Sequence, residues 1–127
     1  MSHNFRNLKI WQEGIEFVDQ VYDLCQSLPK EERFNLVSQM QRSAISIPSN
    51  IAEGSAKKSK REFAHFLGIA LGSSYEIETQ LVICKRREYN VSKSEQLILH
   101  IQEIQKMIYG LRSTLKIFIL SSLFFTL

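Results

Sequence analysis

The chain has 127 residues, 44% of them hydrophobic, and its 16 basic residues face 13 acidic ones for a net charge of +3. That length holds one domain with its own core and is too short for two. Gly and Pro are scarce at five and two, which excludes a low-complexity or disordered chain, and the mild positive charge permits nucleic-acid binding without demanding it.

The first predicted element starts near Leu8. Leu8, Trp11, Ile15, Val18, Tyr22 and Cys25 form one row at steps of three and four, and Ile10, Phe17, Val21, Leu24 and Leu28 form a second beside it. Two adjacent rows make the wide stripe of a core-facing bundle helix, which Pro29 ends. A second helix is predicted from about Glu31 to Glu53 through Phe34, Val37, Met40, Ala44, Ile47 and Ile51. Pro48 lacks an amide hydrogen and disfavours helical angles at Ile47, so this helix bends there or is interrupted, and Gly54 supplies a stop. Ser59 is the expected N-cap of a third helix, with Glu62 completing a capping box. That helix carries Phe63, Leu67, Ala70, Ser74, Ile77, Leu81 and Cys84 on one row. Its middle, Gly68 to Ser74, is rich in small residues that lower helix propensity, so a close helix approach opposite Pro48 is expected in return. Asn90 and Ser92 mark the turn into a fourth helix with the row Leu97, Ile101, Ile104, Ile108, Leu111 and Leu115.

These elements predict an all-α fold, a single antiparallel up-down four-helix bundle with a Pro-bent second helix, over residues 1–115. Residues 116–127 form an apolar tail that extends helix four. From Ile117 to Leu127 the tail has 11 residues against the roughly 20 that a bilayer span requires, so no span is expected and a membrane is not an expected partner. Three readings of it stay open: burial against a neighbouring subunit, a loosely packed segment, and membrane contact.

Along helices two and three the sequence becomes recognisable. Gln39-Met-Gln-Arg-Ser-Ala-Ile-Ser-Ile-Pro-Ser-Asn-Ile-Ala-Glu-Gly54, the block Glu62 to Leu81 and the opening Phe5-Arg-Asn-Leu-Lys-Ile-Trp11 resemble the bacterial family of 23S ribosomal RNA intervening-sequence proteins. The resemblance covers Phe5 to about Leu115 and implies a small four-helix bundle that assembles as a homo-oligomer, a ring of five. It also implies, by the family's association with insertions in large-subunit ribosomal RNA and its similarity to a basic accessory protein of retroelements, RNA or DNA as partner.

Site chemistry is sparse. His65 and His100 stand singly on different helices and His3 near the N-terminus, Cys25 and Cys84 lie far apart, and Glu-x-x-His motifs do not occur on two helices as a di-metal site requires, so no metal, no cofactor and no enzyme activity are expected, nor a small-molecule substrate. The cysteines read as small buried residues of a reducing cytosol. No signal-peptide layout opens the chain, so a cytoplasmic location is expected. Arg42, Ser46, Asn50 and Glu53 run beside the apolar row of helix two and are expected to meet Ser73 and Glu76 of helix three in a structural polar cluster. Lys57, Lys58, Lys60 and Arg61 form one basic cluster, and Lys85, Arg86 and Arg87 form another at the far end of helix three. Such clusters give salt-dependent, sequence-indifferent affinity for RNA or DNA, which five copies in a ring would multiply. The alternatives are cations that merely solvate helix ends, and a protein-interaction or structural assembly module.

Overall fold

A computed structural model describes residues 4–126, with side chains over 4–121. His3 and the burial of the tail beyond residue 121 lie outside the described residues. Four helices carry the fold: α1 (Lys9–Gln26), α2 (Leu36–Ser55), α3 (Lys60–Arg86) and α4 (Val91–Thr126). Short 3-10 turns at Phe5–Asn7 and Lys30–Glu32 precede the first two. No strand occurs among the described residues.

Each helix packs on two others: α2 and α4 both flank α1 and both flank α3, so the bundle closes as a square. Pairs across the seams fix the directions. Gly14 faces Pro48, Ser46 meets Ser73, Gln105 meets Glu78, and His100 meets Gln20. Further along, Ser43 meets Glu76 in the α2–α3 seam and Lys85 meets Glu95 in the α3–α4 seam, so in both the number rises on one helix as it falls on the next.

The apolar rows build the core. Phe17, Val21 and Leu24 of α1, Met40, Ile47 and Ile51 of α2, Leu67, Ile77 and Leu81 of α3, and Ile101, Ile104 and Ile108 of α4 are buried. Of the two rows on α1 only the second turns fully inward. Ile15 and Tyr22 of the first are exposed, because a square bundle gives α1 two neighbours and leaves its outer flank to water.

Four sequence expectations change. The second helix begins at Leu36, not near Glu31, because the chain takes a 3-10 turn after Pro29 and Asn35 adopts a non-helical φ of −125° and ψ of −94°. Phe34, expected in the core row, is consequently turned out and 88% exposed, while Leu36 is buried. Of the two alternatives at Pro48, interruption is removed, since α2 continues as one helix through it. Pro48 packs on α1, where a Cβ at Gly14 would lie 3.4 Å from its own Cβ, and not on the small residues of α3.

Gly54 does not stop α2, which continues to Ser55. Its role is approach: a Cβ there would fall 2.6 Å from Phe66 Cβ and 3.1 Å from Phe63 Cδ1 of α3. Gly54→Ala should therefore destabilise the fold by about 1–3 kcal/mol through forced separation of α2 and α3, read as a lower denaturant midpoint at unchanged m-value.

Cys25 and Cys84 are buried and free, with Cys84 Sγ 3.6 Å from Met40 Sδ. Burial pushes both thiols up to about 11, helped at Cys84 by the nearby Cys25 and Glu32. Thiols in the unfolded chain ionise near about 8.5, so the folded state holds more protons above that value. The sign is then fixed: this contribution to stability is complete below about pH 8.5 and is lost as the pH climbs toward 11. Denaturant midpoints should fall across that window, and a Cys25→Ala/Cys84→Ala variant should show a flatter decline.

Candidate nucleic-acid interface

The link between α2 and α3 gathers the first basic cluster. Ser59 is extended and its Oγ accepts the Glu62 amide at 3.0 Å, which starts α3 at Lys60. Lys60 and Arg61 thereby fall in the first turn of α3, where the helix dipole disfavours cations, so helix stability does not account for their charge. Lys57, Lys58, Lys60 and Arg61 are all exposed. Lys57 Nζ stands 5.3 Å from the Phe66 ring centroid and Lys60 Nζ 5.3 Å from that of Phe118.

Two cations that the sequence reading passed over join them from α4. Arg61, Arg112 and Lys116 line one depression of about 460 Å³ with His65, Ile119 and Leu120. On the other side of the link, Lys57, Lys58 and Lys60 line a depression of about 430 Å³ with Leu8 and Phe118. Arg112 lies across α3, its Nε donating to Ala64 O at 3.0 Å, and Gly68 makes the room: a Cβ there would be 3.0 Å from the guanidinium. The spacing of Arg112 and Gly68 in sequence gave no signal of this, because periodicity assigns a face and not its opposite number.

Leu8 in that second depression brings Arg6 and Lys9 to the same end. Eight cations (Arg6, Lys9, Lys57, Lys58, Lys60, Arg61, Arg112 and Lys116) therefore gather there against the two carboxylates Glu53 and Glu62. None of the eight forms an ion pair among the described residues.

The second basic cluster differs. Lys85 pairs with Glu95 at 3.3 Å, Arg87 sits 5.9 Å from the Tyr89 ring, and Glu88 follows directly in the turn. That turn reverses the chain with two left-handed residues, Glu88 (φ 60°) and Asn90 (φ 48°), and Asn90 Oδ1 accepts the Lys93 amide at 3.3 Å to cap α4. Arg86 is exposed. Carboxylates thus moderate this end.

The polar row is assembled in part. Ser46 Oγ and Ser73 Oγ are 2.8 Å apart, and Asn50 Nδ2 donates to Ser46 O and Oγ at 2.8 and 2.9 Å. Ser43 Oγ, which the sequence reading left out, donates to the Glu76 carboxylate at 3.0 Å. Arg42 and Glu53 stand outside this group, exposed and with no side-chain hydrogen bond or ion pair among the described residues. A further set was unforeseen: Glu78 accepts from Gln102 Nε2 at 3.1 Å and Gln105 Nε2 at 2.7 Å, joining α3 to α4. His100 likewise has partners that its isolation in sequence hid. Its Nδ1 meets Gln20 Oε1 and its Nε2 meets Glu13 Oε2, both at 2.8 Å, which clasps α4 to α1. Among the described residues no three His, Cys, Asp or Glu side chains converge as a metal ion would need.

The geometry therefore offers hydrogen-bonded seams inside and one unneutralised cationic end outside. A search of curated proteins finds no match. Among solved structures the chain is similar to a protein of unknown function from the S23 ribosomal protein family of Bacteroides thetaiotaomicron, at 28% identity and a TM-score of 0.75, covering 81% of this chain and 97% of that one. The family model described as 23S rRNA-intervening sequence protein matches residues 6–110. That span takes in α1, α2, α3 and α4 as far as Gly110, and the chain belongs to the 23S rRNA-intervening sequence protein family.

Proposed function

We propose that this chain is a non-enzymatic bundle that binds RNA or DNA through the cationic end of the α2–α3 link, as subunits of a homo-oligomeric ring of five. The observation that carries the reading is the group Lys57, Lys58, Lys60, Arg61, Arg112 and Lys116, exposed on or lining two adjoining depressions and free of ion pairs among the described residues. Lys60 and Arg61, at the positive end of the α3 dipole, cost helix stability, and all six lack carboxylate partners among the described residues, so a polyanion is the natural recipient of their charge. Phosphates fit this arrangement because Lys and Arg gain by releasing the counterions that phosphates hold. Lys85, Arg86 and Arg87 contribute less, since Glu95 and Glu88 share their end.

A second reading, a protein-interaction or structural assembly module, draws on the exposed Ile69, Tyr75, Val82 and Ile83 of α3 and Leu99 and Tyr109 of α4. Those side chains also supply surface for ring closure, so assembly belongs to both readings and nucleic-acid affinity separates them. Binding of labelled single-stranded RNA across a salt series tests this. Changing Lys57, Lys58, Lys60 and Arg61 together to Gln should flatten the dependence of log K on log salt by about 3, from roughly 0.7 per phosphate contact, while light-scattering mass stays that of the wild type. A wild type with no salt-sensitive binding of RNA or DNA at low ionic strength would sink this function and leave the assembly module.

A further inference from the structure

The family model stops at residue 110, yet α4 continues to Thr126. The continuation is therefore material that this chain carries beyond the matched scaffold. Its register follows from two contacts: Arg112 lies against Ala64 and Gly68, and Lys60, the first residue of α3, lies beside Phe118. The six residues Ser121–Thr126 of α4 thus overhang the start of α3, a projection of about 9 Å.

The overhang's base is apolar and exposed. Ile117, Phe118 and Leu120 are 63%, 54% and 66% exposed, and Ile119 lines the depression beside Arg61. Four consecutive apolar positions step around the whole helix, and no charged residue occurs from Ile117 to Leu127. A helix that docks on another protein carries one apolar stripe and a polar back. No charged residue gives this segment such a back.

What surrounds it is charge of one sign. Lys57, Lys58, Lys60, Arg61 and Lys116 form a collar at its base, unpaired among the described residues, with the Lys60 ammonium over the Phe118 ring. Phosphate alone would leave the three exposed apolar side chains in water. Acyl chains alone would leave the collar unanswered. An interface that offers both, apolar depth under a layer of negative charge, satisfies the two together.

We infer that the overhang of α4 docks this protein on the surface of an anionic bilayer, with Ile117, Phe118 and Leu120 entering the boundary between headgroups and acyl chains and the collar of Lys57, Lys58, Lys60, Arg61 and Lys116 meeting lipid phosphates. No helix among the described residues is long and apolar enough to cross a membrane, and the docking concerns one leaflet. The collar is the same set of cations that the nucleic-acid reading uses, so a bilayer and RNA exclude one another at this end.

Flotation of the full chain with vesicles tests the inference. Vesicles of equimolar phosphatidylglycerol and phosphatidylcholine should carry the protein up the gradient at low salt, and phosphatidylcholine alone should not. The Ile117→Ser/Phe118→Ser/Leu120→Ser variant should partition at least about a hundredfold more weakly, with helical content and denaturant midpoint unchanged because the three side chains lie outside the core. Gln at positions 57, 58, 60 and 61 should cost about two to three orders of magnitude. Failure of the wild type to float with anionic vesicles overturns the inference, as does a serine variant that floats equally well. RNA binding without flotation overturns it while leaving the nucleic-acid reading in place, and so does a serine variant that lowers the mass in solution while the wild type does not float, which assigns the face to a second copy.

Discussion

Everything at the functional end depends on how α3 is held between its two neighbours. On one side the hydroxyls of Ser46 and Ser73 touch and Gly54 lets Phe66 come close, which sets α2 against α3. On the other, Arg112 crosses the backbone at Gly68 and Glu78 takes two glutamines, which sets α4. Hydrogen bonds of this kind add modestly to stability, about 0.5–1.5 kcal/mol each. Their larger effect is on register, since a slip of either helix would strand buried polar atoms. Fixed register is what brings cations from the α2–α3 link and from α4 onto one end.

The sequence carried the bundle clearly. Rows at steps of three and four on α3 and α4 named residues that are buried, from Phe63 to Cys84 and, apart from the half-buried Leu111, from Leu97 to Leu115. What it could not carry was which face meets which. Pro48 and the small residues of α3 looked like partners because both are unusual, yet Pro48 faces Gly14 of α1 and Gly68 serves Arg112. Phe34 fitted the period of α2 and still points to solvent, because the chain enters that helix through a 3-10 turn which periodicity does not register. Gly54 looked like punctuation and is a contact point.

The polar and charged residues followed the same division. Ser46, Asn50, Ser73 and Glu76 were legible because a polar row beside an apolar one needs partners. Arg42 and Glu53, one helical step away, were drawn in by spacing alone and lie outside. The two basic clusters looked equivalent by composition. Only tertiary placement separates them, by supplying Glu95 to Lys85 and no carboxylate to Lys57, Lys58, Lys60 or Arg61.

That separation gives the molecule a direction. With eight cations and two carboxylates at one end and a total of only +3, the remainder of the bundle is net negative, and the charge distribution is polar along the helix axes. A rod of this kind is turned by the field of a negatively charged body before the two meet, positive end forward, over about the Debye length of 8–10 Å near physiological salt. Encounters then begin aligned, and the collision rate of the productive orientation exceeds that of a randomly tumbling rod.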